Sequence, residues 1–291
     1  MKDRRSGDRE AAIHAIVPVA ILAVVAAIAL LSGHSSGMRY AGIAAGPTAA
    51  AQPAACESAN PPAPLLSPEG VPALDIKYVP VAKEPEGFVT KFGGQPKWVG
   101  KPEWPLSRST GKPMVFIGQV SLDHALFPGA KGRMAYLFVT GDDDYVNGAE
   151  PWAPDAGENA IVVQPGDKPI VATTHSAKGP TTLTWATGTR SQRPVIYRAV
   201  FTPSQDPAFE GDTARQKLSQ EQNDAYETAI GPDKIGGTPD FFQGAEFPCS
   251  GERLLYQVSY QPFDLNLGDG GAGFAFINAT GTAGRFLTQS H

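Results

Sequence analysis

The sequence predicts a sheet-rich α+β domain built from two related half-units, with one main soluble helix, behind an N-terminal transmembrane helix. Three observations carry this expectation. A lysine-apolar-Gly-Gly-x-Pro segment occurs twice, at Lys91-Phe92-Gly93-Gly94-Gln95-Pro96 and at Lys234-Ile235-Gly236-Gly237-Thr238-Pro239. Each copy leads to an apolar run ending in Gln-Val-Ser, at 119–121 and 257–259, and then to a second apolar run at 135–139 or 273–277; Gln119 and Phe138 stand as far apart as Gln257 and Phe276. The third observation is an uncharged stretch at 15–31 that, with 11–14, is long enough for a helix to cross a bilayer.

Beginning with that stretch, Lys2, Arg4, Arg5 and Arg9 precede it, and only Arg39 follows before Lys77. The positive-inside bias keeps residues 1–10 in the cytoplasm, makes 11–32 the span and sends the rest across the membrane. The expectation is a single-pass signal-anchor protein with the lipid bilayer as first partner and an extracytoplasmic C-terminal domain, in the periplasm or at the cell surface. A cleaved secretory signal is the weaker alternative. Its apolar core is shorter, and the small-residue site Ala49-Ala50-Ala51 lies too far downstream. Cys56 follows Pro53-Ala54-Ala55, which lacks the leucine of a lipoprotein cleavage box.

Residues 33–75, rich in Ala, Pro, Gly and Ser, read as a semi-extended tether, and 76–291 as the globular domain. Hydrophobic residues at 42% and aromatics at 9% supply a core, while 32 glycines and 27 prolines favour short strands and many turns. The formal charge is -5, with the first ten residues carrying +1 and the remainder -6. Such an acidic domain excludes tracking of a phosphate backbone, so no nucleic-acid partner is expected.

The first half-unit spans 91–140. Gly93 and Gly94 form its structural turn, and Trp98 and Trp104 stand beside it as packing anchors or ligand contacts. Strands are expected at 114–121 and 133–140. An insert, 141–205, carries β-branched runs at 161–163, 169–174, 181–185 and 195–201 that read as a sheet extension. The helix and second half-unit cover 212–291. A helix over 212–230 has a thin apolar stripe and is closed by Gly231-Pro232. The Gly236-Gly237 turn follows, then strands at 254–260 and 273–278 joined by a tight turn at Gly268-Asp269-Gly270.

The Lys-Ile-Gly-Gly-x-Pro turn, the strand Leu254-Leu255-Tyr256-Gln257, the turn 267–271, the strand 273–277 and the earlier Phe92-Gly93-Gly94, Trp104-Pro105 and Gln119 resemble the YwqG-like family, a bacterial domain of unknown function. The resemblance covers roughly 77–291. It implies a mixed α+β fold of two related sheet-rich halves. The N-terminal anchor and the stretch 142–194 depart from the family pattern.

Little in the chain carries chemistry. Of five histidines, His14, His34 and His291 lie in the span, the tether and the last position, leaving His124 and His175. No Gly-x-Ser-x-Gly elbow accompanies either, and no phosphate loop or dinucleotide fingerprint occurs. Asp142-Asp143-Asp144 reads as a solvated loop rather than a cation site. The segment 264–269 is out of register for a calcium loop and has Ala275 where the bidentate glutamate belongs. No catalytic residue, metal site or cofactor is expected. Cys56 and Cys249, the only cysteines, can pair in an oxidising compartment, and sequence does not settle whether they do. Gln119 and Gln257 occupy equivalent strand positions. Each is either a bridge inside the fold or, with Trp98 and Trp104, part of a ligand-binding surface.

The function these residues point to is a non-enzymatic binding or interaction module of the bacterial envelope with a protein or peptide partner. The alternatives are an envelope hydrolase using His124 or His175, and a toxin-immunity-type protein.

Overall fold

The paired apolar runs become the walls of one antiparallel sheet. The computed structural model describes residues 61–141, 149–185, 192–259, 261–265 and 267–291, all within the unit Thr48–His291. The expected span at 11–32, the tether as far as residue 60, Cys56 and Asp142-Asp143-Asp144 lie outside the described residues. Among the described residues, no helix is long and apolar enough to cross a membrane.

The elements in chain order are β1 (Val71–Pro80), β2 (Lys91–Gly93), β3 (Trp104–Pro105), β4 (Val115–Ser121), β5 (Met134–Val139), β6 (Asn159–Gln164), β7 (Thr173–Thr174), β8 (Leu183–Trp185), β9 (Gln192–Pro194) and β10 (Ile196–Asp206). After them come α1 (Asp212–Arg215), α2 (Gln220–Ile230), β11 (Lys234–Gly236), β12 (Arg253–Ser259), β13 (Ala272–Ile277) and β14 (Gly284–Gln289). Ten strands form one sheet in the order β14-β13-β12-β11-β1-β10-β2-β4-β5-β6. That order reads the same from both ends once β1 is matched with β10, β2 with β11, β4 with β12, β5 with β13 and β6 with β14. The repeat is therefore structural, and it is exchanged. The opening strand of the first half, β1, pairs with β11 of the second, while β10 pairs with β2 of the first. The two long strands pair with each other along their length, from Val71 opposite Asp206 to Pro80 opposite Tyr197.

The ends of the sheet approach closely. Asn159 Nδ2 on β6 donates to the Phe286 carbonyl on β14 at 3.3 Å, and Asp167 N donates to the Thr282 carbonyl at 2.8 Å. A Cβ added to Gly284 would lie 3.1 Å from Ile161 Cδ1. The sheet is thus nearly closed, and side chains alternate between an interior and an outer layer. Leu137, Val139, Ile161, Val163, Leu255, Val258, Ala275 and Ile277 point into one shared core. Met134, Tyr136, Phe138 and Val162 build an outer core on the first half, and Leu254, Phe274, Phe276 and Leu287 one on the second. Both faces being covered explains why 135–139 and 273–277 are continuously apolar instead of alternating.

The structure redraws two expected elements. The helix at 212–230 is split. Ser219 accepts from Gln222 N while Gln222 Oε1 accepts from Ser219 N, a capping box that starts α2 and ends the short α1 upstream. Within 141–205, β6 and β10 are strands of the main sheet, while β7, paired with β3 of the first half-unit, and the pair β8–β9 stand apart from it. The run at 169–174 contributes strand only at Thr173–Thr174, because Pro169 cannot donate to a ladder.

Candidate functional site

The repeated motif is a clasp around a buried lysine. In the first half, Lys91 Nζ donates to the carbonyls of Gly93 and Gln95 at 3.0 and 2.7 Å and lies 2.8 Å from Glu84 Oε2. The other oxygen of Glu84 accepts from Gln95 N at 2.8 Å. In the second half, Lys234 Nζ lies 2.7 Å from Asp206 Oδ2 and donates to the Ile230 carbonyl, and the same Asp206 oxygen accepts from Thr238 N at 2.8 Å. Gln95 and Thr238 hold the same place in the motif. The carboxylate fits only because the second glycine has no side chain: a Cβ on Gly94 would lie 2.1 Å from Glu84 Oε1, and one on Gly237 2.3 Å from Asp206 Oδ2, both at positive φ. Burial lowers both lysines from their ordinary value, against the opposing pull of the adjacent carboxylate.

Gln119 and Gln257 seal these clasps. Each side chain accepts from the backbone at the seventh motif position, Lys97 N at 2.8 Å and Asp240 N at 2.9 Å. Each donates to the carbonyl two residues before its lysine, Val89 at 3.0 Å and Pro232 at 3.2 Å; Gln257 also reaches the Ile230 and Gly231 carbonyls. The register agrees, with Lys91 opposite Gln119 and Lys234 opposite Gln257. Both amides are buried and bonded to backbone within their own half.

The tryptophans belong to a correspondence that the turn motif extends. Trp98 and Phe241 sit equally far from their lysines, as do Trp104-Pro105 and Phe247-Pro248. Trp98 packs 4.6 Å from Tyr136 and lies nearly parallel to Phe138 at 6.2 Å; Phe241 packs 5.1 Å from Phe274 and nearly parallel to Phe276 at 6.2 Å. Trp104 is fully buried and donates its indole N–H to the Met114 carbonyl at 2.8 Å. These rings close the outer cores. In the remaining turn, Gly268 and Gly270 take positive φ, and the Asp269 carbonyl accepts from His291 N at 3.0 Å.

One polar chain breaks the symmetry. Tyr78 Oη donates to Asp233 Oδ2 at 2.6 Å and stands 2.7 Å from Tyr256 Oη, while Asp233 Oδ1 accepts from Ser259 N at 2.7 Å. In the first half Thr90 replaces Asp233, accepting from Ser121 N at 3.0 Å, and Gly118 replaces Tyr256. The Tyr256 ring stacks on Phe92 at 4.8 Å, and Phe92 fills the space a Gly118 side chain would need. Burial pushes Asp233 up, with Tyr78 and Ser259 opposing, and pushes both phenols well above their usual value.

Sequence reasoning passed over Glu84, Asp206, Tyr78, Asp233 and Tyr256. The repeat of Trp104-Pro105 as Phe247-Pro248 was legible; the acids, lying outside the repeated string, were not.

His124 and His175 are solvent-exposed and bonded to backbone. His124 Nδ1 accepts from Leu126 N at 3.2 Å, and His175 Nδ1 lies 3.0 Å from the Pro102 carbonyl. Glu252 pairs with Arg285 at 2.6 Å, and Arg285 with Asp155 at 2.9 Å. Burial raises the Glu252 carboxyl, with Arg285 opposing. Among the described residues, no three His, Cys, Asp or Glu side chains are grouped to hold a metal. Cys249 is buried and disulfide-bonded. A cavity of about 310 Å³ opens between Val115 and Val139 on one side and Asp264 and Leu265 on the other.

The family described as Domain of unknown function (DUF1963) matches residues 90–285, and the chain belongs to it. No curated protein matches the chain. The matched range starts one residue before Lys91 and leaves out β1, although β1 is the strand exchanged between the halves.

Proposed function

We propose that this chain is a membrane-tethered binding module of the YwqG-like kind that works outside the cytoplasm and is not an enzyme. One observation carries the reading: the polar residues that the repeat retains are consumed within the fold, Lys91 by two backbone carbonyls and one carboxylate, Lys234 by one backbone carbonyl and one carboxylate, and Gln119 and Gln257 by backbone carbonyls and amides. What remains at the surface is a scaffold with a cavity. His124 and His175 contact backbone, so the hydrolase alternative has no carboxylate-oriented base to draw on. The extracytoplasmic placement is supported by the apolar stretch at 11–32, by the basic residues before it and by the disulfide at Cys249, a bond that persists in oxidising compartments.

The topology is tested by fusing to His291 a phosphatase that folds only outside the cytoplasm. An active fusion is expected. An inactive one, with a fluorescent protein that matures only in the cytoplasm bright at the same position, overturns the placement.

A further inference from the structure

The cavity beside Asp264 sits where the pseudo-symmetry has a filled counterpart. Val115 and Val139, opposite each other on β4 and β5, correspond to Arg253 and Ile277, opposite each other on β12 and β13. The β4–β5 and β12–β13 loops have equal length, which places Phe127 opposite Leu265 in the correspondence and Leu126 opposite Asp264. In the second half the Arg253 guanidinium lies over the Phe127 ring, 4.9 Å from its centroid. The segment around it is closed: a Cβ on Gly129 would lie 2.8 Å from the Ala279 carbonyl oxygen, and one on Gly281 2.1 Å from Ala130 Cβ. In the first half Val115 replaces the arginine, and about 310 Å³ is left open.

The lining is rich in hydrogen-bond acceptors. Thr140 spends its hydroxyl proton on Glu158, at 2.7 Å to the carboxylate and 3.0 Å to the carbonyl, and Thr181 spends its own on the Phe116 carbonyl at 3.3 Å. What these hydroxyls retain is lone pairs. Asp264 adds a carboxylate that, among the described residues, takes one side-chain donor, Gln192 Nε2. Among the described residues no lysine or arginine lines the cavity, and Val115, Val139 and Leu265 give it an apolar wall.

We propose that this cavity binds a guanidinium carried on a short apolar stem, the group that Arg253 supplies from within the chain at the counterpart site. The inference rests on the reading of the domain as a binding module and names its ligand chemistry. The stem lies along Val115 and Leu265, and the head meets Asp264 and the threonine oxygens. A free alkyl guanidine and an arginine side chain of a peptide share this chemistry.

The test is calorimetric titration of full-length protein with n-butylguanidinium and, separately, with a blocked Ala-Arg-Ala peptide. A saturable one-to-one isotherm is expected, with a Kd on the order of 1 mM for so small a probe. Asp264→Asn weakens it by roughly tenfold or more, because a charge-assisted contact becomes a neutral one. Val115→Arg fills the cavity as Arg253 does its counterpart and abolishes binding. Tighter binding of the peptide assigns the site to an arginine side chain, and binding of the free cation alone assigns it to a small molecule. Absence of saturation in the wild type, or equal affinity in wild type and Asp264→Asn, overturns the proposal. Neither result bears on which side of the membrane the domain lies, which the phosphatase fusion reads independently.

Discussion

The two halves hold the same lysine in the same clasp but seal it unequally. Lys234 and Asp206 are both withdrawn from water, at 1% and 4% side-chain exposure, whereas Lys91 is fully buried against a Glu84 that is 34% exposed. Geometry is repeated while dielectric is not. Removing one partner of a sealed pair strands a buried charge, whereas water can take the place of a partner at the surface. Asp206→Ala is therefore expected to cost about 3–5 kcal/mol in urea unfolding, and Glu84→Ala about 1–2 kcal/mol. Equal losses would break the comparison.

The pair Gly118 and Tyr256 sharpens it. A side chain on Gly118 would lie 2.4 Å from Phe92 Cδ1 and 2.7 Å from the Lys91 carbonyl oxygen. Gly118→Ala should thus destabilise by about 1–3 kcal/mol through overpacking. Tyr256→Phe keeps the stacked ring and loses one hydrogen bond, about 1 kcal/mol in the same assay. A neutral Gly118→Ala would show that Phe92 does not fill the space beside Gly118.

Asp233, present in one half only, gives a pH-dependent difference. Burial holds its carboxyl above the ordinary value of 3.8, so the folded chain keeps a proton that the unfolded chain releases sooner. That contribution is fully present below the ordinary value and is lost as pH rises through the raised one. As pH rises from the ordinary value of 3.8 through the raised one, the urea midpoint of wild type should therefore fall relative to that of Asp233→Asn. A constant gap between the two would remove Asp233 from the account. Smallest of all, His124→Ala and His175→Ala should each shift stability by less than about 0.5 kcal/mol, both being exposed. A large loss of any hydrolytic activity on either change would favour the enzyme alternative.

The repeat was legible because strand residues that pack on both faces are held to apolar types, and the turn is held to glycine by a carboxylate where a Cβ would stand. Lys91, Lys234, Gln119 and Gln257 therefore kept their spacing. The exchange of β1 and β10 was not legible, since pairing between distant strands leaves no local period, and β10 runs through Pro203 with one face to solvent. The break in the helix was written in Ser219 and Gln222, a capping box within a stretch whose lack of glycine and proline pointed to continuity. The cavity could not be read at all: it is defined by Val115 being unlike Arg253, which becomes meaningful only when the strands are superimposed in register.

The exchanged repeat is tested most directly by backbone nuclear Overhauser contacts in the folded protein. The account predicts cross-strand contacts of Leu74 with Ile235 and of Tyr197 with Phe92, the pairs in register on β1–β11 and β10–β2. Contacts of β1 with β2 and of β10 with β11 in their place would show each half folding on itself, and would contradict it.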